Sequence, residues 1–171
     1  MIDLDKYTTV EIELIKILNS VRDEWYIYKT LKGDKNWTIR IKHLFANYGS
    51  LLGYEVCGSG LCDHHGEWLY DLVWYKNTNE GLLESVPLVV ESEWKRNLKD
   101  IQYDFEKLLL SNSSLRLMIC QTNTNNIYEL KQYFSKAVES YKLLKKGDRF
   151  LIAILDDLIT AEFHFELIIK E

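Results

Sequence analysis

Pro87-Leu-Val-Val-Glu-Ser-Glu-Trp-Lys95 begins as an apolar run of the kind that forms a buried strand, and then carries three charges. A strand's period of two puts Val89, Glu91, Glu93 and Lys95 on one face and Leu88, Val90, Ser92 and Trp94 on the other. Twelve residues upstream ends Glu67-Trp-Leu-Tyr-Asp-Leu-Val-Trp-Tyr75, a second strand-like stretch with Asp71 among apolar neighbours. In it the alternation groups Leu69, Asp71, Val73 and Tyr75 against Trp68, Tyr70, Leu72 and Trp74. If these two strands are neighbours, Asp71, Glu91 and Glu93 converge at one sheet end, and buried acids in apolar company are either paired or functional.

The surrounding pattern is read by periodicity. Thr8-Thr-Val-Glu11 is a capping box, and Val10, Leu14, Ile17, Leu18 and Val21 continue it as an amphipathic helix that begins near Thr9 and runs towards Leu31. A second helix is expected from Trp37 to about Asn47, ended by Gly49 and Gly53. A strand over 51–58 follows, then a glycine-rich loop, then the strands over Glu67–Tyr75 and from Pro87, together a meander. Leu98 to Leu110 reads as a helix stopped by Ser111-Asn-Ser-Ser114, and Leu115 to Thr122 as an apolar strand. Ile127, Leu130, Phe134, Ala137, Tyr141 and Leu144 define another helix. Strands over Arg149 to Leu155 and Ala161 to Ile169 close the chain as a hairpin. The expected order is α, α, β, β, β, α, β, α, β, β.

The chain of 171 residues is 47% hydrophobic and 13% aromatic, which suits one packed domain over 1–171. A formal net charge of −5 argues against coating nucleic acid by bulk charge, although 21 Lys and Arg leave room for a local basic patch. The N-terminus has no apolar signal core, no segment is long enough to span a bilayer, and three cysteines fit a reducing compartment. The expectation is a cytoplasmic protein without a membrane partner.

Three clustered carboxylates repel one another unless a cation offsets them, and oxygen ligands suit Mg²⁺ or Mn²⁺. Asp71 followed by Glu93-Trp-Lys95, within this order of elements, resembles the PD-(D/E)xK superfamily of restriction endonuclease-like nucleases. That resemblance covers about Trp37 to Thr122 and implies an αβββαβ core, a mixed central sheet flanked by helices, extended here by an N-terminal helix and a C-terminal α-β-β. It implies metal binding by Asp71 and Glu93, with Lys95 beside the attacking water. Glu91-Ser-Glu93 fits an acid-x-acid variant of the motif equally, with Asp71 and Glu91 as ligands and Glu93 in the lysine's place.

Lys107 is a reserve for a lysine relocated to the following helix, Lys99 a poorer one, and Glu24 or Glu55 a possible extra ligand. The implied reaction is hydrolysis of phosphodiester bonds of nucleic acid, DNA in the first place, by a chain that pairs as a homodimer or with a protein partner. The competing class is a nuclease-like domain that does not cleave and serves as a nucleic-acid- or protein-binding module.

Three other features compete for attention. Cys57, Cys62, His64 and His65 are zinc-ligand types in one loop, though not at the usual paired spacing. The tryptophans at 25, 37, 68, 74 and 94 suit base stacking or, more commonly, a core. The lysines at 131, 136, 142, 145 and 146 are mixed with Glu129 and Glu139 and read as a solvated helix face.

Overall fold

The computed structural model describes residues 4–26, 33–61, 68–156 and 161–171. Its elements are α1 (Thr9–Tyr26), α2 (Asp34–Leu51), β1 (Glu55–Cys57), β2 (Leu72–Asn77), β3 (Leu83–Glu93), α3 (Leu98–Leu110), β4 (Leu115–Thr122), α4 (Thr124–Ser140), β5 (Arg149–Asp156) and β6 (Glu162–Ile169). The order matches the one expected from periodicity. The six strands form one mixed sheet in sequential order. β1, β2 and β3 are antiparallel, β4 and β5 run parallel to β3, and β6 returns antiparallel. The result is an α/β fold with helices on both sheet faces.

The parallel strands explain their own composition, since a strand covered on both faces must be apolar on both. Leu117 and Ile119 of β4, with Leu151 and Ala153 of β5, pack towards α1 and α2. Met118 and Cys120, with Phe150, Ile152 and Ile154, pack towards α3 and α4. On β3, Leu88 and Val90 join the first layer and Val89 the second, as the alternation predicts, and Trp94 just beyond the strand also joins the first.

The capping box at α1 is formed: Thr8 N–H donates to Glu11 Oε2 at 2.7 Å and Glu11 N–H to Thr8 Oγ1 at 3.3 Å. Glu11 is fully buried and also accepts from Arg149 Nε and Nη2, both at 2.7 Å, which ties the helix start to the start of β5.

Several boundaries differ from the sequence expectation. β3 begins at Leu83, ahead of Pro87, because its early residues still pair with the end of β2, and β1 is confined to Glu55–Cys57 because α2 occupies residues up to Leu51. α2 continues through Gly49 to Leu51, and the backbone turns at Gly53, whose φ of 82° is the left-handed value glycine favours. Gly49 is a close-contact position, not a helix breaker. A Cβ there would lie 2.7 Å from the indole of Trp74, a ring that also meets Tyr48 at 5.7 Å and Tyr54 at 5.8 Å. α4 stops at Ser140, although Leu144 beyond it stays in the core. There Lys170 Nζ donates to the Val138 and Glu139 carbonyls at 3.0 and 2.6 Å, satisfying two terminal acceptors.

Gly49→Ala is therefore expected to destabilise the protein. Overpacking typically costs about 1–3 kcal/mol, whereas the gain in helix propensity is about 1 kcal/mol. Urea unfolding should show a lower midpoint at unchanged slope; an equal or higher midpoint would mean that Trp74 has room to move.

Candidate functional site

The anomaly in β3 lies where the antiparallel meander meets the parallel strands. β2 begins at Leu72, opposite Val90 in β3, so Asp71 stands beside Glu91 and Ser92. The expected strand over Glu67–Tyr75 starts later because Asp71 uses its side chain where a ladder would use backbone. Ser92 N–H and Oγ–H donate to Asp71 Oδ2 at 2.8 and 2.6 Å. The expected alternation is broken there too: Tyr70 packs with Val73 and Tyr75 on the α3 side, while Leu72 and Trp74 face α1 and α2. Glu67 lies outside the described residues.

Asp71 is held from a second direction by a residue that periodicity does not single out. Lys42 of α2 is 5% exposed, donates to Ser59 Oγ at 3.0 Å and stands 3.5 Å from Asp71 Oδ1. The signal in the sequence is faint: Lys42 flanks the apolar stripe of Ile41 and Phe45, where a long cationic chain ordinarily reaches solvent.

Glu91 is 3% exposed and faces α3, where Lys107 Nζ stands 2.6 Å from its Oε1 and 3.4 Å from Asp104 Oδ1. The Glu91–Lys107 contact is a close ion pair inside the sheet-helix layer. Burial pushes the Glu91 carboxyl up to about 8; Lys107 opposes the rise, and Asp71 and Asp104 add to it. Burial likewise raises Asp104, against Lys107. Lys107 is itself raised, because the Glu91 and Asp104 carboxylates together outweigh its own desolvation.

Glu93 follows at the end of β3, its Oε1 accepting from Lys95 N–H at 2.7 Å. Lys95 turns away. Its side chain is 75% exposed and its ammonium lies 3.7 Å from Asp100. The structure thus gathers Asp71, Glu91 and Lys107 closely, keeps Glu93 at their edge, and directs Lys95 outward. Glu24 is engaged by Arg40 at 2.9 and 2.7 Å, and Glu55 accepts from Asn77 at 2.9 Å. Of the possible zinc ligands Cys57 is buried on β1; Cys62, His64 and His65 lie outside the described residues.

The donor types suit a hard divalent cation, with the Asp71 and Glu91 carboxylates brought side by side by the β2–β3 pairing. Among the described residues, however, no three Asp, Glu, His or Cys side chains are already gathered around one point. Lys42 and Lys107 supply the positive charge beside Asp71 and Glu91.

No protein-family model, curated protein or solved structure matches the chain. No helix among the described residues is long and apolar enough to cross a membrane.

The pH dependence of stability follows from Glu91. Its folded-state value of about 8 exceeds the ordinary 4.5, so between those limits the folded state retains a proton that the unfolded chain releases. Stability should therefore fall as pH rises from about 4.5 to 8 relative to Glu91→Gln, which has no such proton. Urea unfolding in EDTA at pH 5 and pH 8.5 tests this; a constant difference between the two proteins would refute it.

Proposed function

We propose that this chain is a metal-dependent nuclease of the PD-(D/E)xK type, hydrolysing phosphodiester bonds of nucleic acid, with DNA as the first candidate. The observation that carries the reading is the adjacency of Asp71, immediately before β2, to Glu91-Ser92 near the end of β3, joined by Ser92 N–H on Asp71 Oδ2 at 2.8 Å. The order α2, β1, β2, β3, α3, β4, with β4 parallel to β3, supports a restriction endonuclease-like fold.

In this reading Asp71 and Glu91 hold Mg²⁺ or Mn²⁺, and Glu93 lies beside the water's approach. The ion supplies neutralisation of phosphate charge and activation of water. Ser92 and Lys42 fix the Asp71 carboxylate, and fixed donors cost no reorganisation as charge develops. Lys107, already 2.6 Å from Glu91, is better situated than Lys95 for the lysine's role. Its ammonium offsets negative charge developing at the phosphate and holds a proton beside the attacking water.

Incubation with single-stranded, duplex and branched DNA and with RNA, in Mg²⁺ or Mn²⁺, should give cleavage that EDTA abolishes. Asp71→Asn and Glu91→Gln should each lower it by about 100-fold or more, the rate equivalent of losing about 3 kcal/mol of charge stabilisation. Lys107→Met should lower kcat by about 100-fold; an equal loss in Lys95→Met would return the role to Lys95. Cleavage that survives the Asp71 and Glu91 substitutions would remove the site. Nucleic-acid binding with no cleavage in either metal would replace this reading with that of an inactive binding module, which the occupation of Glu91 by Lys107 favours.

A further inference from the structure

Trp25, Trp37 and Trp94 are more than core filling. Beside them, at the carboxyl ends of β3, β4 and β5, opens a cleft of about 580 Å³, within the roughly 300–1,000 Å³ of small-molecule sites. The ends of parallel strands are where open α/β sheets ordinarily receive ligands. The three indoles line it together with Lys95, Arg96 and Gln121. Trp37 meets Trp25 at 5.5 Å, edge to face, and Trp94 at 5.3 Å.

This wall is fixed in place. Trp94 Nε1–H donates to Thr38 Oγ1 at 2.7 Å, and Gln121 Nε2 donates to the Trp94 carbonyl. Trp37 and Trp94 are 4% and 8% exposed and serve as backing, whereas Trp25, also lining the cleft, is only partly buried. The Lys95–Asp100 pair on the rim, at 3.7 Å and three-quarters exposed on the lysine side, holds that ammonium only weakly.

An aromatic wall beneath two adjacent cationic residues is the combination that takes a nucleobase and its phosphate. A base reaches such a wall only when it is out of the duplex stack. Glu93, one residue before Trp94, connects the cleft to the carboxylate cluster. A chain of net charge −5 must also meet a nucleic-acid backbone with local cations, and Lys95-Arg96 provides two beside the acids.

We propose that this cleft holds one nucleotide of an unpaired nucleic-acid strand, its base against Trp25 and its phosphate on Lys95 and Arg96. Selection of single-stranded or branched substrates over continuous duplex follows. The biological use of the cleft rests on the nuclease reading, but its occupancy does not.

The test is accordingly run in EDTA, where nothing is cut. Anisotropy of a short fluorescein-labelled oligothymidylate should report binding, and an unlabelled copy should quench tryptophan fluorescence; the matching duplex should bind at least tenfold more weakly. Between about 50 and 200 mM salt, Lys95→Glu with Arg96→Glu should weaken binding at least tenfold and flatten the log–log salt slope by about 1.4, two contacts at roughly 0.7 each. Trp25→Leu should weaken binding about tenfold, and Trp25→Phe should restore most of it. Thermal unfolding monitors folding of each variant.

No binding by the wild-type protein, equal binding of duplex, or affinity indifferent to the charge reversal would each overturn the proposal. Cleavage in Mg²⁺ with unchanged KM in the charge-reversed variant would overturn the cleft while leaving the nuclease reading intact. Single-strand binding at the cleft without cleavage would do the reverse.

Discussion

Burying the Glu91 carboxylate in a sheet covered on both faces is the constraint around which this end of the molecule is arranged. β3 lies between β2 and β4 and is closed over by helices, so water cannot solvate a charge at position 91. An isolated buried carboxylate costs several kcal/mol, and proteins meet that cost by protonation, pairing or a cation. Two of these operate here: the carboxyl's proton affinity is raised, and Lys107 reaches it from α3. The register of α3 against β3 is thereby tied to an ion pair as well as to Ile101, Phe105 and Leu108 in the core.

Not all ion pairs in the molecule carry such weight. Lys16–Glu13 and Lys95–Asp100 are exposed and contribute little. Glu11–Arg149 is different, with a buried carboxylate and two hydrogen bonds of 2.7 Å, and it lies at the opposite end of the sheet from Asp71 and Glu91. There it joins the α1 cap to the start of β5. Its partners satisfy both carboxylate oxygens through hydrogen bonds, whereas Glu91 Oε1 is met by the Lys107 ammonium at 2.6 Å.

The same physics determines what the sequence reveals. α3 and β4 have their expected limits because Ser111-Asn-Ser-Ser114 separates a strong helical stripe from a run apolar on both faces. Asp71, Glu91 and Glu93 stand out as charges against that background. The start of β2 is less legible because period-two alternation continues through residues 68–71, while the backbone leaves the ladder and Asp71 bonds through its side chain. Of the two lysines at the carboxylates, Lys107 is reached through the family resemblance as a lysine relocated to the following helix, whereas Lys42 is hardest to find: it lies on an amphipathic helix where lysine is ordinary, and only the packing of helix on sheet turns it inward. Lys95 has the motif spacing, yet the chain leaves β3 at Glu93, so strand alternation no longer governs where Lys95 points.

The lysines also make the two candidate ligands unequal. Lys42 is enclosed, tethered to Ser59, and shares Asp71 with two hydrogen bonds from Ser92, so the Asp71 carboxylate has one orientation. Lys107 is more exposed, with 31% of its side chain accessible, and has a second acceptor in Asp104 at 3.4 Å. A divalent ion at Glu91 would meet an ammonium that keeps Asp104 as a second negative partner, whereas Lys42 beside Asp71 has the neutral Ser59 hydroxyl as its other contact. In the proposed nuclease Asp71 would therefore be the pre-oriented ligand and Glu91 the one a cation has to share with Lys107.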